Sequence, residues 1–130
     1  MMYQQVLLNI KDRKFQHIFW RPNPNGDIQE YELNTVTYGS APSAFQALRV
    51  LHQLVLDEDA SFPAASKANL SESYVDDIVS GAGSEQEAKL LQMELESLMS
   101  LCGFELRKLS SNRPSLLSAM PNEHVEPLIF

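Results

Sequence analysis

Residues 71–88 read SESYVDDIVSGAGSEQEA, and they place two adjacent aspartates, Asp76 and Asp77, inside a short apolar run. A carboxylate is costly to bury without a partner, and like charges side by side repel. Residues 70–80 are β-prone and bounded by turn formers, which predicts a hairpin with the aspartates at or beside its tip. A divalent cation between the pair and a third oxygen ligand would make this arrangement stable. An exposed Asp-Asp turn is the alternative, because aspartate favours turns.

Downstream of this run the sequence predicts a capped helix. Ser84-x-x-Glu87 is a capping box, and Gly103 is placed to end the helix. An apolar stripe at spacings of three and four runs between them through Ala88, Leu91, Leu95, Leu98 and Cys102. The single cysteine, Cys102, is therefore expected to be a small buried residue. Residues 104–111, FELRKLSS, are predicted as a strand.

Upstream, two strands and a second helix are predicted. The strands are Phe15–Arg21 and Glu30–Val36, joined by PNPNGD, whose Asn-Gly suits a hairpin turn with positive φ. A second capping box, Ser43-x-x-Gln46, opens a helix that is expected to end near Asp57. Its apolar face comprises Ala44, Ala47, Leu48, Leu51, Leu54 and Val55.

The remaining segments are assigned less regular structure. Residues 2–10 have apolar residues at helical spacing, which predicts a short first helix. Residues 57–69 are expected to form a polar loop with one apolar foothold at Phe62. Together the elements indicate one α+β domain, with helices packed on one face of a mostly antiparallel sheet.

Composition and charge limit the classes of function. The 130 residues carry a formal net charge of −7, which is unlike the basic surplus of proteins that grip nucleic acid on their own. No signal peptide and no membrane span is recognised, so an intracellular, cytoplasmic chain without a membrane partner is expected. The acidic trio at 57–59 is interpreted as a solvated loop rather than a set of metal ligands.

The residues also resemble a known family. Tyr74-Val75-Asp76-Asp77 matches the YxDD box of reverse transcriptases, and the flanking text resembles the Bel/Pao class of long-terminal-repeat retrotransposons. Four blocks agree in order: YQQVLLNIKDRKFQHIFWR, VTYGSAPSAFQALRVLHQL, FPAASKANLSESYVDDIVSGAGSEQEA and GFELRKLSSNRPSLL. The resemblance implies a polymerase palm over residues 1–113 and a tail, 114–130, leading toward a downstream hairpin and thumb. It implies RNA-directed DNA synthesis, with two divalent ions, Mg²⁺ or Mn²⁺, and with template-primer and deoxynucleotides as partners.

The resemblance also implies roles for individual residues. Of the two metal-site carboxylates, Asp76 is similar to the one that binds metal directly and Asp77 to its less directly engaged neighbour. Tyr74 and Val75 are similar to the residues that shape the hairpin beside the primer end. Lys108 is similar to a lysine that protonates the departing pyrophosphate, or is otherwise a surface lysine. Three further residues resemble the nucleotide-binding set: Tyr3, the aromatic gate that excludes a 2′-hydroxyl, Gly39, and Tyr38, which replaces the usual retroviral glutamine. An ordinary core tyrosine is the alternative for the gate residue.

The family's first metal-binding aspartate is expected just before the first residue of this chain. The chain is accordingly expected to be a palm incomplete at both ends, a piece of a Pol polyprotein that binds metal weakly or not at all and is inactive alone. A non-catalytic, palm-shaped interaction domain or a decayed element remnant is the first alternative. A magnesium-dependent phosphohydrolase is the second, although the three histidines, His17, His52 and His124, lack metal-ligand spacing.

Two further surface features have open interpretations. Arg107, Lys108 and Arg113 could form a small basic edge toward a nucleic-acid backbone, but a solvated rim is the favoured interpretation. Trp20, at the end of a predicted strand, could stack on a base, but core packing is favoured for it.

Overall fold

The computed structural model describes residues 2–118 and 120–127, and it confirms the mixed α+β class. The chain divides into two compact units, Met1–Val50 and Leu51–Phe130, with the division inside one helix. In chain order the elements are a 3₁₀ turn at Met2–Gln5, α1 (Ile10–Arg13), β1 (His17–Trp20), β2 (Gln29–Glu32), α2 (Ser43–Glu58), α3 (Pro63–Glu72), β3 (Ser73–Tyr74), β4 (Asp77–Ile78), α4 (Glu85–Leu101), α5 (Pro114–Leu117) and a 3₁₀ turn at Asn122–His124.

The helix predicted over residues 2–10 is wrong beyond its first turn. Leu7 forms an antiparallel bridge with Thr35, and the Leu8 N–H donates to the carbonyl of Asn34 at 2.9 Å. The backbone groups of residues 6–8 therefore hydrogen-bond to a neighbouring extended segment. They are not available for the hydrogen bonds of a helix. A separate turn, α1, begins after Asn9, whose side chain accepts from the Lys11 N–H.

The two predicted strands form an antiparallel pair, with His17 opposite Glu32 and Trp20 opposite Gln29. The connection covers residues 21–28 and so includes the predicted PNPNGD, but the positive φ expected at its Asn-Gly is wrong, because neither residue adopts one. Instead the Gly26 N–H donates to the carbonyl of Asn23 within a longer loop. Residues on both faces of both strands are exposed.

Helix α2 confirms the predicted apolar face but not its capping box. Ala47, Leu51, Leu54 and Val55 are buried along that face. The Ser43 hydroxyl donates to the carbonyl of Thr37, and the Gln46 N–H donates to the carbonyl of Pro42. The serine thus ties the helix to the preceding extended segment and does not cap it.

The second unit contains a helix where a polar loop was predicted. Helix α3 starts at Pro63, which suits the first helical position because proline lacks an N–H. It packs on α4 around a core of Leu54, Val55, Ala65, Leu95 and Leu98. Phe62 packs against this core, as the sequence predicted for that residue.

Helix α4 has the predicted start and stop. The Ser84 hydroxyl accepts from the Glu87 N–H, while the Glu87 carboxylate accepts from the Gly83 N–H. Gly103, at φ 74°, donates to Ser100 O, and the next N–H donates to Met99 O, so the helix ends in a Schellman motif. The prediction for Cys102 is wrong: it is exposed at this terminus, and Met99 is buried.

Residues 104–111 do not form the predicted strand. Leu109 makes an isolated parallel bridge with Val125, and Lys108 adopts a φ of 59°, which interrupts extended backbone. Among the described residues each unit has its own two-stranded sheet, β1-β2 and β3-β4. These residues therefore do not form one continuous antiparallel sheet under the helices.

Candidate functional site

The aspartate pair lies at the tip of a very short hairpin in the second unit. Ser73 pairs with Ile78 and Tyr74 with Asp77, which leaves Val75 and Asp76 as a two-residue turn. The hairpin was therefore predicted correctly, although it is shorter than residues 70–80 because α3 continues to Glu72. The carboxylates belong to a turn residue and a strand residue, so they do not occupy equivalent positions.

The turn is strained at Val75. Its φ of 55° lies in the left-handed region, where a β-branched residue is a true outlier. The other central residue, Asp76, has no positive φ, and this combination of signs is that of a type II′ turn, in which glycine normally takes the first central position. Strain of this kind persists only where the surrounding structure enforces it, and it is concentrated at functional sites.

The base of the hairpin is firmly attached to the helices. The Ser73 hydroxyl donates to the carbonyl of Asn69 in the last turns of α3, and Ile78 packs against the buried core. The start of α3 is held by α4, because Glu94 Oε2 accepts from the N–H groups of Ala64 at 2.8 Å and Ala65 at 3.1 Å. The tip is thus an exposed loop on a fixed base.

The tip itself faces solvent. Tyr74 is 78% exposed, and Asp76 and Asp77 are both exposed. Among the described residues no group of three histidine, cysteine or acidic side chains is placed to hold a metal ion. The pair alone can offer carboxylate oxygens to a hard cation that takes its other ligands from water or from phosphate, as Mg²⁺ commonly does.

Two of the predicted nucleotide-binding residues lie in contact in the first unit. The ring centroids of Tyr3 and Tyr38 are 4.7 Å apart, with the planes tilted by 48°. Tyr38 is 60% exposed and Tyr3 is partly buried. Gly39 follows at φ 83°, and apart from its two chain neighbours no described residue places an atom within 4 Å of the position that a Cβ would take there. This segment therefore presents an aromatic ring and unobstructed backbone side by side.

Lys108 is exposed in the second unit, on the segment between α4 and α5. Of its predicted basic neighbours, Arg107 donates to the Glu105 carboxylate at 2.6 Å, and Arg113 lies 3.7 Å from Glu85. The Arg107 hydrogen bond lowers the pKa of Glu105. Arg107 and Arg113 thus lie beside carboxylates, and all three basic residues are exposed, which gives a solvated rim of mixed charge.

Two of the histidines pair with glutamates, His17 at the surface and His124 from a partly buried position. His17 Nδ1 lies 2.6 Å from Glu30 and Nε2 lies 3.5 Å from Glu32, while His124 lies 3.1 Å from Glu105. The hydrogen bond to Glu30 raises the pKa of His17 above 6.5. Within the described ranges neither these residues nor the acidic trio at 57–59 forms a metal cluster.

Sequence reasoning missed three features of the structure. Trp20 is 54% exposed and meets Tyr31 edge to face at 6.0 Å, so the prediction of core packing is wrong. Glu94 and Ser73 were not singled out, although Glu94 lies three residues after Leu91, a spacing that places both side chains on the same face of a helix.

An apolar groove lies behind β4, between α4 and α5, with a volume of about 160 Å³. Its walls include Ile78, Leu91, Leu95 and Leu116. This volume is well below the roughly 300–1,000 Å³ of ordinary small-molecule sites, so the groove is assigned no ligand.

Comparisons of this chain with protein-family models, curated proteins and solved structures found no significant match. In the part of the chain that the structure describes, no helix combines the length and the apolar character needed to cross a bilayer.

Proposed function

We propose that this chain is part of the palm of a reverse transcriptase of the Bel/Pao type, and that Asp76 and Asp77 bind its divalent cations. The observation that carries the proposal is the YVDD tip: two exposed carboxylates on a two-residue turn held in a strained conformation at Val75. A plain solvent-exposed turn has no need of a β-branched residue at φ 55°. The ordered sequence resemblance supports the same function.

The donor set fits a hard cation. Exposed carboxylate oxygens suit Mg²⁺ or Mn²⁺, which retain water and bind substrate phosphates. When bound, such ions neutralise charge on the attacking and leaving oxygens of an in-line displacement. In the proposed palm Asp76 binds the cation directly and Asp77 is less directly engaged, while Tyr74 and Val75 shape the hairpin beside the primer end.

The other proposed roles concern the nucleotide and the leaving group. Tyr3 lies under the sugar edge of an incoming deoxynucleotide, beside Tyr38 and the open backbone of Gly39. Lys108, which is exposed, donates a proton to the departing pyrophosphate. Template and primer are the macromolecular partners in this proposal.

Metal binding at the tip tests the proposal. Mn²⁺ is titrated into the ¹⁵N-labelled 130-residue chain, and paramagnetic broadening of the amide signals is mapped. Broadening is expected to centre on residues 74–78, to disappear in Asp76→Asn, and to persist in Asp59→Asn. The control removes the same charge from an exposed position in the acidic trio. Broadening that centres on residues 57–59, or that is unchanged in Asp76→Asn, would refute the proposed metal site.

A palm-shaped interaction domain without catalysis is a second candidate. The observation in its favour is the exposed apolar surface of the β1-β2 pair, where Phe19 is 74% and Trp20 is 54% exposed. The same titration separates the two functions, because an interaction domain has no reason to bind Mn²⁺ through Asp76.

A further inference from the structure

The segments that carry Tyr3 and Tyr38 are joined by a short series of backbone hydrogen bonds. The Val6 N–H donates to the carbonyl of Tyr3 at 3.1 Å, and the Val36 N–H donates to the carbonyl of Val6 at 2.9 Å. Val6 and Val36 are both buried, at 7% and 2% exposure. Each ring is thus only a few residues from a buried, hydrogen-bonded anchor.

The Tyr38 segment is also held from its other side. The Ser43 hydroxyl, at the start of α2, donates to the carbonyl of Thr37, and Ser43 is 3% exposed. The Thr37 hydroxyl lies 3.1 Å from the side-chain oxygen of Gln16. The residue before Tyr38 is therefore bonded through both its carbonyl and its side chain, which leaves the tyrosine ring on a rigid support.

The two rings differ in what holds them. Tyr3 belongs to a 3₁₀ turn of only four residues in which no residue is buried. Its described aromatic contact is with Tyr38, at a centroid distance of 4.7 Å. An aromatic pair in a tilted arrangement is favourable beyond the area that it buries. The Tyr38 ring, carried on backbone next to the doubly bonded Thr37, packs on Tyr3 and therefore limits the orientations open to it.

We infer that Tyr38 is a positioning residue: it fixes the orientation of the Tyr3 ring and, through it, the preference of the site for deoxyribose over ribose. The inference rests on the proposed function, because it takes Tyr3 as the residue that meets the sugar. In this role the phenol oxygen of Tyr38 is dispensable and its ring is not.

Nucleotide binding to the 130-residue chain tests this role, with dATP and ATP as probes. The apparent Kd of each nucleotide is read from the shift of the Tyr3 ring signals, which are assigned with Tyr3→Phe. Wild type and Tyr38→Phe are expected to prefer dATP to the same extent. Tyr38→Ala and Tyr38→Leu are expected to lower that preference by about two- to tenfold, the range that corresponds to one lost ring–ring contact.

Tyr31→Ala is the matched control, because it removes a ring from the other aromatic pair of the same unit, Trp20–Tyr31. An unchanged preference in Tyr38→Ala and Tyr38→Leu would overturn the inference, as would an equal loss in Tyr31→Ala. No response of Tyr3 to either nucleotide would also overturn it, while Mn²⁺ broadening that depends on Asp76 would leave the proposed function standing. Mn²⁺ broadening that does not depend on Asp76 would instead refute the metal site.

Discussion

Glu94 of α4 accepts a 2.8 Å hydrogen bond from the backbone N–H of Ala64, the second residue of α3. It also accepts from Ala65, and no side chain of α3's own N-terminal residues caps that helix. A carboxylate from a neighbouring helix thus performs the task of an N-cap residue. Because α3 leads directly into the YVDD hairpin, this contact fixes the helix on which the candidate metal site is built.

Glu94→Ala is expected to lower the free energy of unfolding by about 1–2 kcal/mol, since it leaves two N–H groups at the start of α3 without their acceptor. Glu94→Gln keeps an acceptor oxygen and should lose less. Chemical denaturation measures both. Glu96→Ala is the control. Among the described residues the Glu96 carboxylate accepts from Gln92 of its own helix, and its loss should cost about 0.5 kcal/mol or less. Equal losses in Glu94→Ala and Glu96→Ala would contradict the capping role.

Two buried serines predict opposite mutational effects. Ser66 is fully buried and its hydroxyl has no partner among the described residues, whereas the buried Ser43 hydroxyl donates to the carbonyl of Thr37. Ser66→Ala is expected to stabilise the chain by about 1 kcal/mol, because an unsatisfied polar group is removed at nearly constant volume. Ser43→Ala should destabilise by a similar amount. Thermal unfolding of both variants measures these changes in stability. Changes of the same sign in the two variants would contradict the hydrogen bonding described for the two serines.

The turn strain at Val75 gives a third prediction. Val75→Gly relieves a left-handed β-branched residue and is expected to leave stability unchanged or to raise it by up to about 1 kcal/mol. Val79→Gly, two residues beyond Asp77 and without a positive φ, should cost about 0.5–1 kcal/mol. Denaturant midpoints compare the two. A larger loss in Val75→Gly than in Val79→Gly would argue against strain at the tip.

The His17 pair predicts a pH dependence. Its folded-state pKa is raised, chiefly by the hydrogen bond to Glu30 and further by Glu32. The resulting stabilisation is fully present below the unfolded pKa, near 6.5, and is lost as the pH rises through the higher folded value. NMR titration of the imidazole should show a larger decrease of the pKa in Glu30→Gln than in Glu32→Gln. The reverse order would contradict the 2.6 Å pairing.

The 130-residue chain is expected to show no template-directed primer extension with Mg²⁺ or Mn²⁺. Two-metal catalysis requires carboxylates from more than one segment, and among the described residues no third ligand joins Asp76 and Asp77. Extension assays on a primed RNA template measure this directly. The contrary result would be robust nucleotide incorporation by the purified chain that is lost in Asp76→Asn. It would mean that the metal has protein ligands besides Asp76 and Asp77.

Local signals were sufficient for much of the fold. Helices α2 and α4 could be predicted because their apolar stripes recur at helical spacing, and α4 also has Ser84 and Gly103 at its ends. The YVDD hairpin could be predicted because a β-prone run is bounded by turn formers. In each case the residues that determine the element are close in sequence to the element itself.

The failures have non-local or conformational causes. Helix α3 has small buried residues and so no clear stripe, and Glu94, which caps it, is far away in sequence. Residues 104–111 are apolar enough for a strand, but Lys108 adopts a left-handed φ. The contact of Tyr3 with Tyr38 could not be read from spacing either, because it depends on the bonds through Val6 and Val36.

The β1-β2 pair has its side chains in water on both faces, including Phe19 and Trp20. Breaking this ladder would give up its hydrogen bonds and only part of the burial of its rings, because Phe19 is already 74% and Trp20 54% exposed. The same exposed rings favour association at high protein concentration. Among the described residues no further strand pairs with the outer edge of β1 or β2, so a second chain can add there. Solubility, rather than folding, is therefore the property that polar replacements in this ladder would improve.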